Sequence, residues 1–300
     1  MILLKNVSKE ERPLFGQMIN ILKSTAETLF QEAIERLVKK EEGERLQNEM
    51  LDITLPGRRR FLGSAHLLTK VMNELLEISS SMGFSIQLGP EIDSDYYNFA
   101  ALNFQDDHPA RDMQDTFYLA PNVLLRTHTS NIQVHVMQKA KPPIRIVAPG
   151  RVYRNEEVSA RSHVFFHQIE GLYIDRDVSF SHLFHLIEEF LGRFFKRQVK
   201  TRFRPSYFPF VEPGLEADVE CLVCQGSGCS LCKHTGWLEI LGAGMVHPEV
   251  LNNVGIDPEE YRGFAWGLGV ERLVMLKYQI PDIRFFTEND YRFLTQFSSL

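Results

Sequence analysis

The stretch Cys221-Leu-Val-Cys-Gln-Gly-Ser-Gly-Cys-Ser-Leu-Cys232 holds all four cysteines of the chain, as two CxxC pairs separated by four residues. Four thiolates at such spacing can enclose Zn²⁺ tetrahedrally, with Gly226 and Gly228 making the turn between the pairs. The spacer is short beside those of common zinc ribbons, so free thiols or another metal stand as alternatives, and zinc is the favoured reading. Four cysteines leave no open coordination position, so the role expected of Cys221, Cys224, Cys229 and Cys232 is structural. His234 stands by as a substitute ligand.

Other segments carry polar residues that a core strand would not tolerate without a purpose. In Phe166-His-Gln-Ile-Glu-Gly171, strand alternation puts Phe166, Gln168 and Glu170 on one face and His167 with Ile169 on the other. The ring could stack on a base while Gln168 and Glu170 hold an ammonium or hydroxyl; periodicity alone reads the row as the wet face of an antiparallel strand. His163 and His167 lack a third partner and make a poor metal pair. In Pro149-Gly-Arg-Val-Tyr-Arg-Asn-Glu-Glu157, Arg151 and Arg154 end a strand, where a guanidinium can bind phosphate in a bidentate way or pair with Glu156 or Glu157. Gly263 to Arg272 runs through Gly267 and Gly269 into a helix. A cation in a helix's first turn opposes the macrodipole, so Arg272 asks for an anionic partner. In Ser206-Tyr-Phe-Pro-Phe-Val-Glu-Pro213, Phe208 and Phe210 share a side and can grip a third ring, or belong to the core. Thr127-His-Thr-Ser130 precedes a short helix, and Ser130 with Gln133 fits a capping box.

These residues need a frame. From about Lys9 to Gln47 turn residues are scarce, and apolar residues recur at helical spacing among many charges, which predicts a long exposed helix with a thin apolar stripe. The breaker Leu55-Pro56-Gly57 and the basic triplet Arg58 to Arg60 follow. Helices are expected near Leu68 to Met82, stopped by Gly83, and near Ser181 to Arg197. Strands are expected at Ser85 to Leu88, Phe117 to Leu119, Ile144 to Ala148, Phe166 to Ile174, Lys200 to Arg204, Ala217 to Val223, Trp237 to Gly242 and Phe264 to Leu268. They do not alternate regularly with helices, so an α+β fold is expected, an antiparallel sheet backed by helices. No internal repeat or low-complexity segment stands out. With 300 residues and 44% hydrophobic content, the chain can bury a sizeable core. A net charge of −6 disfavours a broadly basic nucleic-acid coat. No run approaches the roughly 18 to 20 apolar residues of a membrane span, and MILLKNVSKEERP lacks a signal-peptide core, so the expected location is the cytoplasm.

Together these segments resemble the catalytic α subunits of bacterial phenylalanyl-tRNA synthetases, class II aminoacyl-tRNA synthetases. The resemblance runs from about Lys9 to the C-terminus. It is most specific in GPEIDSDYYNFAALNFQDDHPARDMQDTFYL (89–119), LLRTHTS (124–130), PPIRIVAPGRVYRNE (142–156), FHQIEGL (166–172), FRPSYFPFVEPG (203–214), LGAGMVHPEVLNNVGID (241–257) and GFAWGLGVERL (263–273). It implies a class II catalytic domain over 51–300, with a cysteine-rich hairpin insertion at 221–236, behind an N-terminal helical arm over 1–50 that looks like a shortened coiled coil. It implies activation of L-phenylalanine by ATP, then transfer to tRNA(Phe), with Mg²⁺ as cofactor and a β subunit as partner in an α2β2 heterotetramer. By this resemblance Arg154 and Arg272 stabilise the α-phosphate, Glu156 meets the adenine amino group and Phe166 stacks on the base. His128, Ser130, Gln168 and Glu170 position the amino acid's ammonium and carboxylate. Phe208, Phe210 and Ala265 hold its ring, and Glu212 is the magnesium ligand.

A pocket that excludes a hydroxyl only by size discriminates about 100-fold, which implies editing on the β subunit. Trp266 and Asn131 depart from the family pattern beside the pocket and bear on its fit, and Glu157 to Val164 aligns least well. Two other readings are an inactive synthetase-like binding or regulatory module and a zinc-ribbon nucleic-acid binder. Intact Arg154, Glu170 and Arg272 count against the first, and the acidic charge counts against the second.

Overall fold

The computed structural model describes residues 11–50, 63–111, 115–229 and 232–298. The expected breaker at Leu55 to Gly57 and the triplet Arg58 to Arg60 lie outside the described residues, as does the expected helix start at Lys9.

The chain divides into two units, 1–62 and 63–300. The first contains helix α1 (Arg12–Asn48), which has a proline in its first turn and no buried residue. At about 1.5 Å per residue it is roughly 55 Å long. Leu22, Leu29, Phe30 and Leu37 lie open along it. Its ion pairs Lys23–Glu27 and Lys40–Glu44 are solvent-exposed, and exposed pairs of this kind contribute little.

In the second unit the helices are α2 (Leu67–Ser81), α3 (Asp95–Asn98), α4 (Ser130–Met137), α5 (Phe180–Phe195), α6 (Pro248–Asn253), α7 (Val270–Tyr278) and α8 (Tyr291–Leu294). The strands are β1 (Ser85–Ile86), β2 (Ile92–Ser94), β3 (Tyr118–Ala120), β4 (Val123–Leu125), β5 (Ile144–Tyr153), β6 (Phe165–Asp175), β7 (Thr201–Pro205), β8 (Val211–Glu220), β9 (Trp237–Val246) and β10 (Arg262–Gly269). The main sheet is seven-stranded, in the order β1-β5-β6-β10-β9-β8-β7. All its pairings are antiparallel except β1 with β5, so one parallel edge pair qualifies the expected antiparallel sheet. A small sheet, β2-β4-β3, packs beside it. Sequence reading missed β2 and β4 because three residues are too few to establish a period of two. β8 starts earlier and stops sooner than expected, at Glu220, because the chain turns into the cysteine segment.

One face of the sheet is covered by α2, α5 and α7. Leu75, Phe190, Phe194, Phe264 and Trp266 fill that core. Gly83, at φ +87°, closes α2 in a conformation that suits glycine. The opposite face is half covered: Phe99, Leu124, Val134, Ile146 and Leu172 form a second core at the β5 side. The rest of that face is open and forms the floor of a cavity of about 1070 Å³.

Candidate active site

Strand alternation delivers the floor. Register pairs Leu172 with Ala265, Glu170 with Gly267 and Gln168 with Gly269 between β6 and β10. It pairs Ala265 with Gly244 and Gly267 with Gly242 between β10 and β9. The two central strands thus present glycine and alanine to the cavity, where a ligand can lie against the backbone. A Cβ at Gly242 would stand 3.0 Å from the Phe208 ring.

At one end Phe208 and Phe210 form an aromatic wall, their centroids 5.8 Å apart. Next to them His128 is packed among Phe99, Phe104 and Phe210. Neither of its buried ring nitrogens has a well-formed partner, and the same holds for Gln168 Oε1. Burial, helped by Arg154 and Arg126, pushes the His128 pKa down to about 3, so the ring is neutral. Glu170, 5% exposed, lies beside them. Its Oε1 accepts from Thr129 N–H at 3.0 Å, and its Oε2 accepts from Ser130 Oγ at 2.6 Å and Gln133 Nε2 at 2.9 Å. Burial still raises its pKa above the ordinary carboxyl value, against the pull of Ser130, Thr129 and Arg126.

The expected Ser130–Gln133 capping box is therefore corrected. Thr129 is the residue that precedes α4, and both Ser130 and Gln133 turn their polar groups onto Glu170. A buried carboxylate without donors would cost more than an uncapped helix end, so Glu170 claims them.

Farther along, the Arg154 guanidinium lies 5.0 Å from the Phe166 ring centroid, with Nε 3.5 Å from Thr127 O. Glu156 lines the same cavity. Arg272, in the first turn of α7, has the anionic partner its position demands, Glu239 Oε1 at 3.2 Å. Its neighbour Glu271 is buried and accepts from His167 N–H at 3.0 and 2.9 Å, with His167 Nδ1 2.7 Å away. His163 lies instead 3.3 Å from Thr287 Oγ1, so the two histidines do not meet as a metal pair.

The cavity thus gathers His128, Ser130, Arg154, Glu156, Phe166, Gln168, Glu170, Phe208, Phe210, Ala265 and Arg272. Glu212 is absent from its lining. That carboxylate is 75% exposed and 3.4 Å from His247 Nε2. Asn131 is absent from the lining as well, whereas Trp266 is part of it while its side chain packs on the other face. The indole fills the helix-covered core, where a Cβ at Gly171 would meet it at 2.3 Å. Asn131 is buried and donates to Pro90 O and Asp93 Oδ2.

Sequence reading missed a charged wall at the β7–β8–β9 end. Asp218, with a 2% exposed side chain, accepts from Arg202 and Arg204, and Arg204 also reaches Glu216. Burial works to raise the Asp218 pKa, but the two guanidinium groups prevail and lower it. Alternation of Arg202 and Arg204 around Phe203, and of Glu216 and Asp218 around Ala217, was the available signal. The bulge between Ala217 and Asp218 shifts the register to β9 so that Glu239 pairs with Asp218.

The four cysteines bridge β8 and β9. Their Sγ atoms all lie within 4.8 Å of one another, and the pairs 221/229, 224/232 and 229/232 are each 3.7 Å apart. A Zn–S tetrahedron with bonds of about 2.3 Å has edges near ~3.8 Å, so the donor set fits zinc. The segment also holds a repeat that the sequence reading overlooked: CLVCQGSG (221–228) and CSLCKHTG (229–236) share CxxCxxxG. Each repeat's glycine has positive φ and donates N–H to a thiol, Gly228 to Cys224 at 3.2 Å and Gly236 to Cys232 at 3.3 Å. Burial opposes the ionised thiol of Cys232, but N–H donors from Cys229 and Gly236 bring it down to about 6. His234 takes no part in the sulfur cluster.

Residues 50–297 match the family of tRNA synthetases class II core domain (F), and residues 1–46 match the aminoacyl tRNA synthetase class II N-terminal domain. Over 297 residues the chain is 62% identical to the phenylalanine–tRNA ligase alpha subunit of Protochlamydia amoebophila, covering 99% of this chain and 86% of that protein. It is 53% identical to that of Chloroherpeton thalassium over 299 residues, 98% of this chain and 87% of the relative. It is 52% identical to that of Chlamydia muridarum over 295 residues, 98% and 86%.

Proposed function

The chain belongs to the phenylalanine–tRNA ligase alpha subunits, within the class II synthetase family, and from that premise we propose how its own residues divide the reaction. The reaction joins L-phenylalanine to tRNA(Phe) with conversion of ATP to AMP and diphosphate. In the first step the amino acid's carboxylate attacks the α-phosphorus, giving phenylalanyl-adenylate and diphosphate. In the second, the acyl group passes to a terminal ribose hydroxyl and AMP leaves.

The observation that carries the assignment is a surplus of acceptors around Glu170. A buried carboxylate, the unsatisfied Gln168 Oε1 and a neutral His128 converge beside an aromatic wall. Such a set calls for a cationic donor attached to an apolar ring. The phenylalanine ammonium meets that need at Glu170 and Gln168, with Ser130 and His128 completing its surroundings, while Phe208, Phe210 and Ala265 take the ring. Arg154 and Arg272 face the triphosphate, where fixed positive charge stabilises the charge that builds during attack. Phe166 stacks on the adenine, and Glu156 accepts from its amino group.

Magnesium accompanies ATP in this family. A hard cation takes six or more oxygen ligands, and Glu212 would supply one carboxylate from outside the cavity lining. The cysteine hairpin, 221–236, is assigned a structural zinc on its 3.7 Å sulfur spacing. Residues 1–50 are assigned as a tRNA-contacting arm and 51–300 as the catalytic domain. The partner is the β subunit in an α2β2 assembly, located in the cytoplasm. Among the described residues no helix is long and apolar enough to cross a membrane.

Phenylalanine-dependent ATP–pyrophosphate exchange by the chain with its β subunit tests this reading. Ala265→Gly is expected to admit para-substituted phenylalanines in that exchange; continued exclusion would remove Ala265 from the ring pocket.

A further inference from the structure

The cysteine hairpin does more than join two strands, because it forms part of the cavity wall: Cys232, Lys233, Thr235 and Trp237 all line it. Lys233 and His234 follow the fourth cysteine with φ of +51° and +62°, a left-handed pair that L residues adopt only under constraint. The constraint is local to the sulfur cluster. His234 N–H donates to Cys229 O at 2.8 Å, Thr235 N–H to Cys232 O at 3.1 Å, and Gly236 N–H to the Cys232 thiol. Cys221 N–H then donates to Gly236 O at 2.8 Å, which sets where β9 begins. Trp237 is the first residue of β9, and the Arg202 guanidinium lies 4.6 Å from its ring centroid. Two residues on, Glu239 holds Arg272. A continuous set of contacts therefore runs from the sulfurs to the cationic end of the cavity, and none of it passes through Phe208, Phe210 or Glu212.

We propose that a zinc ion held by Cys221, Cys224, Cys229 and Cys232 positions the Lys233–Trp237 wall of the catalytic cavity, and through it Arg202 and Arg272, so that the metal sets affinity for the triphosphate of ATP and not for phenylalanine. This rests on the reading that Arg272 faces the triphosphate. Lys233, Arg202 and Trp237 are positioning and wall residues in this scheme. Without zinc the left-handed turn relaxes, Trp237 shifts, and Arg202 loses the ring it stacks on, while Glu170 on β6 and its three donors at the start of α4 stay in place.

The experiment uses the chain assembled with its β subunit. Metal content is measured by plasma mass spectrometry, and ATP and phenylalanine KM are measured before chelation, after chelation and after zinc is restored. Tryptophan emission is followed in parallel. The chain has two tryptophans, Trp237 on this wall and Trp266 in the helix-covered core, and Trp237→Leu identifies the reporter. The expected result is one zinc per chain, whose removal raises the KM for ATP by about tenfold and leaves that for phenylalanine within about twofold, as loss of a supporting shell does elsewhere. Emission shifts with removal and returns with zinc, and Trp237→Leu repeats the ATP effect with its zinc retained. Absence of stoichiometric zinc, equal movement of both KM values, or emission and ATP KM indifferent to removal would each overturn the proposal. If the untreated protein gave no phenylalanine-dependent exchange, the substrate reading would fall, while zinc content and Trp237 emission would still decide whether the metal holds the wall.

Discussion

Burial and hydrogen bonding pull the Glu170 carboxylate in opposite directions, and burial prevails, so its pKa lies above the free carboxyl's 4.5. Its protonated form is favoured in the fold, a contribution to stability that is present below the free value and lost as pH rises through the raised one. An ammonium ligand needs the ionised form. The KM for phenylalanine should therefore climb about tenfold per pH unit once pH falls below the raised value. A flat KM profile on the acid side would remove Glu170 from the ammonium site. His128 works the other way. With a pKa depressed from 6.5 to about 3, it stays neutral in the fold while the unfolded chain takes up a proton. The stability it confers is complete above pH 6.5 and is lost as pH falls toward 3, by up to about 1.4 kcal/mol per pH unit. Urea unfolding of the parent and His128→Gln between pH 4.5 and 6.5 should differ in slope by about one proton.

Between elements, the joint of α7 with β6 is the point where one side chain fixes two parts of the site. The β6–β10 ladder ends at the pair Gln168–Gly269, and the Glu271 carboxylate takes the next N–H, that of His167. Phe166 and Gln168 flank His167, and Arg272 follows Glu271, so this clamp sets the Phe166 ring and the Arg272 guanidinium relative to each other. Glu271→Ala leaves a part-buried N–H and the His167 ring without their acceptor and should cost about 1–3 kcal/mol in urea unfolding. It should also raise the KM for both ATP and phenylalanine, in contrast to the proposed effect of zinc removal, which is on the first alone. Alternation along β6 was legible because six consecutive residues carry it. The Glu271 contact was not, because it joins residues a hundred positions apart and nothing local marks it. The same holds for Ser130 and Gln133, whose spacing suits a cap as well as it suits two donors to Glu170.

At the level of the whole chain, the two units bury surface in different ways. The 63–300 unit carries both hydrophobic cores, whereas α1 has no buried residue of its own. Removal of residues 1–50 should therefore leave the melting temperature of the catalytic unit and the exchange reaction in place. Transfer to tRNA should fall if the arm contacts it. Measuring exchange and aminoacylation side by side separates the two, and equal loss of both would show that the arm supports the catalytic unit itself.

Sequence by itself determined the longer strands and helices, the open face of β6, the aromatic pair and the thiol spacing, because each follows from a short period or a local motif. The family resemblance rested on ordered segments for the same reason. Tertiary structure alone decided which donors serve Glu170, that the Trp266 indole packs in the helix-covered core, that Glu212 stays outside the cavity lining, and that Arg202 and Arg204 converge on Asp218. It also decided that the cysteine hairpin borders the cavity. These are outcomes of strand order and of a bulge at Ala217, which bring distant residues together, and no spacing along the chain records them.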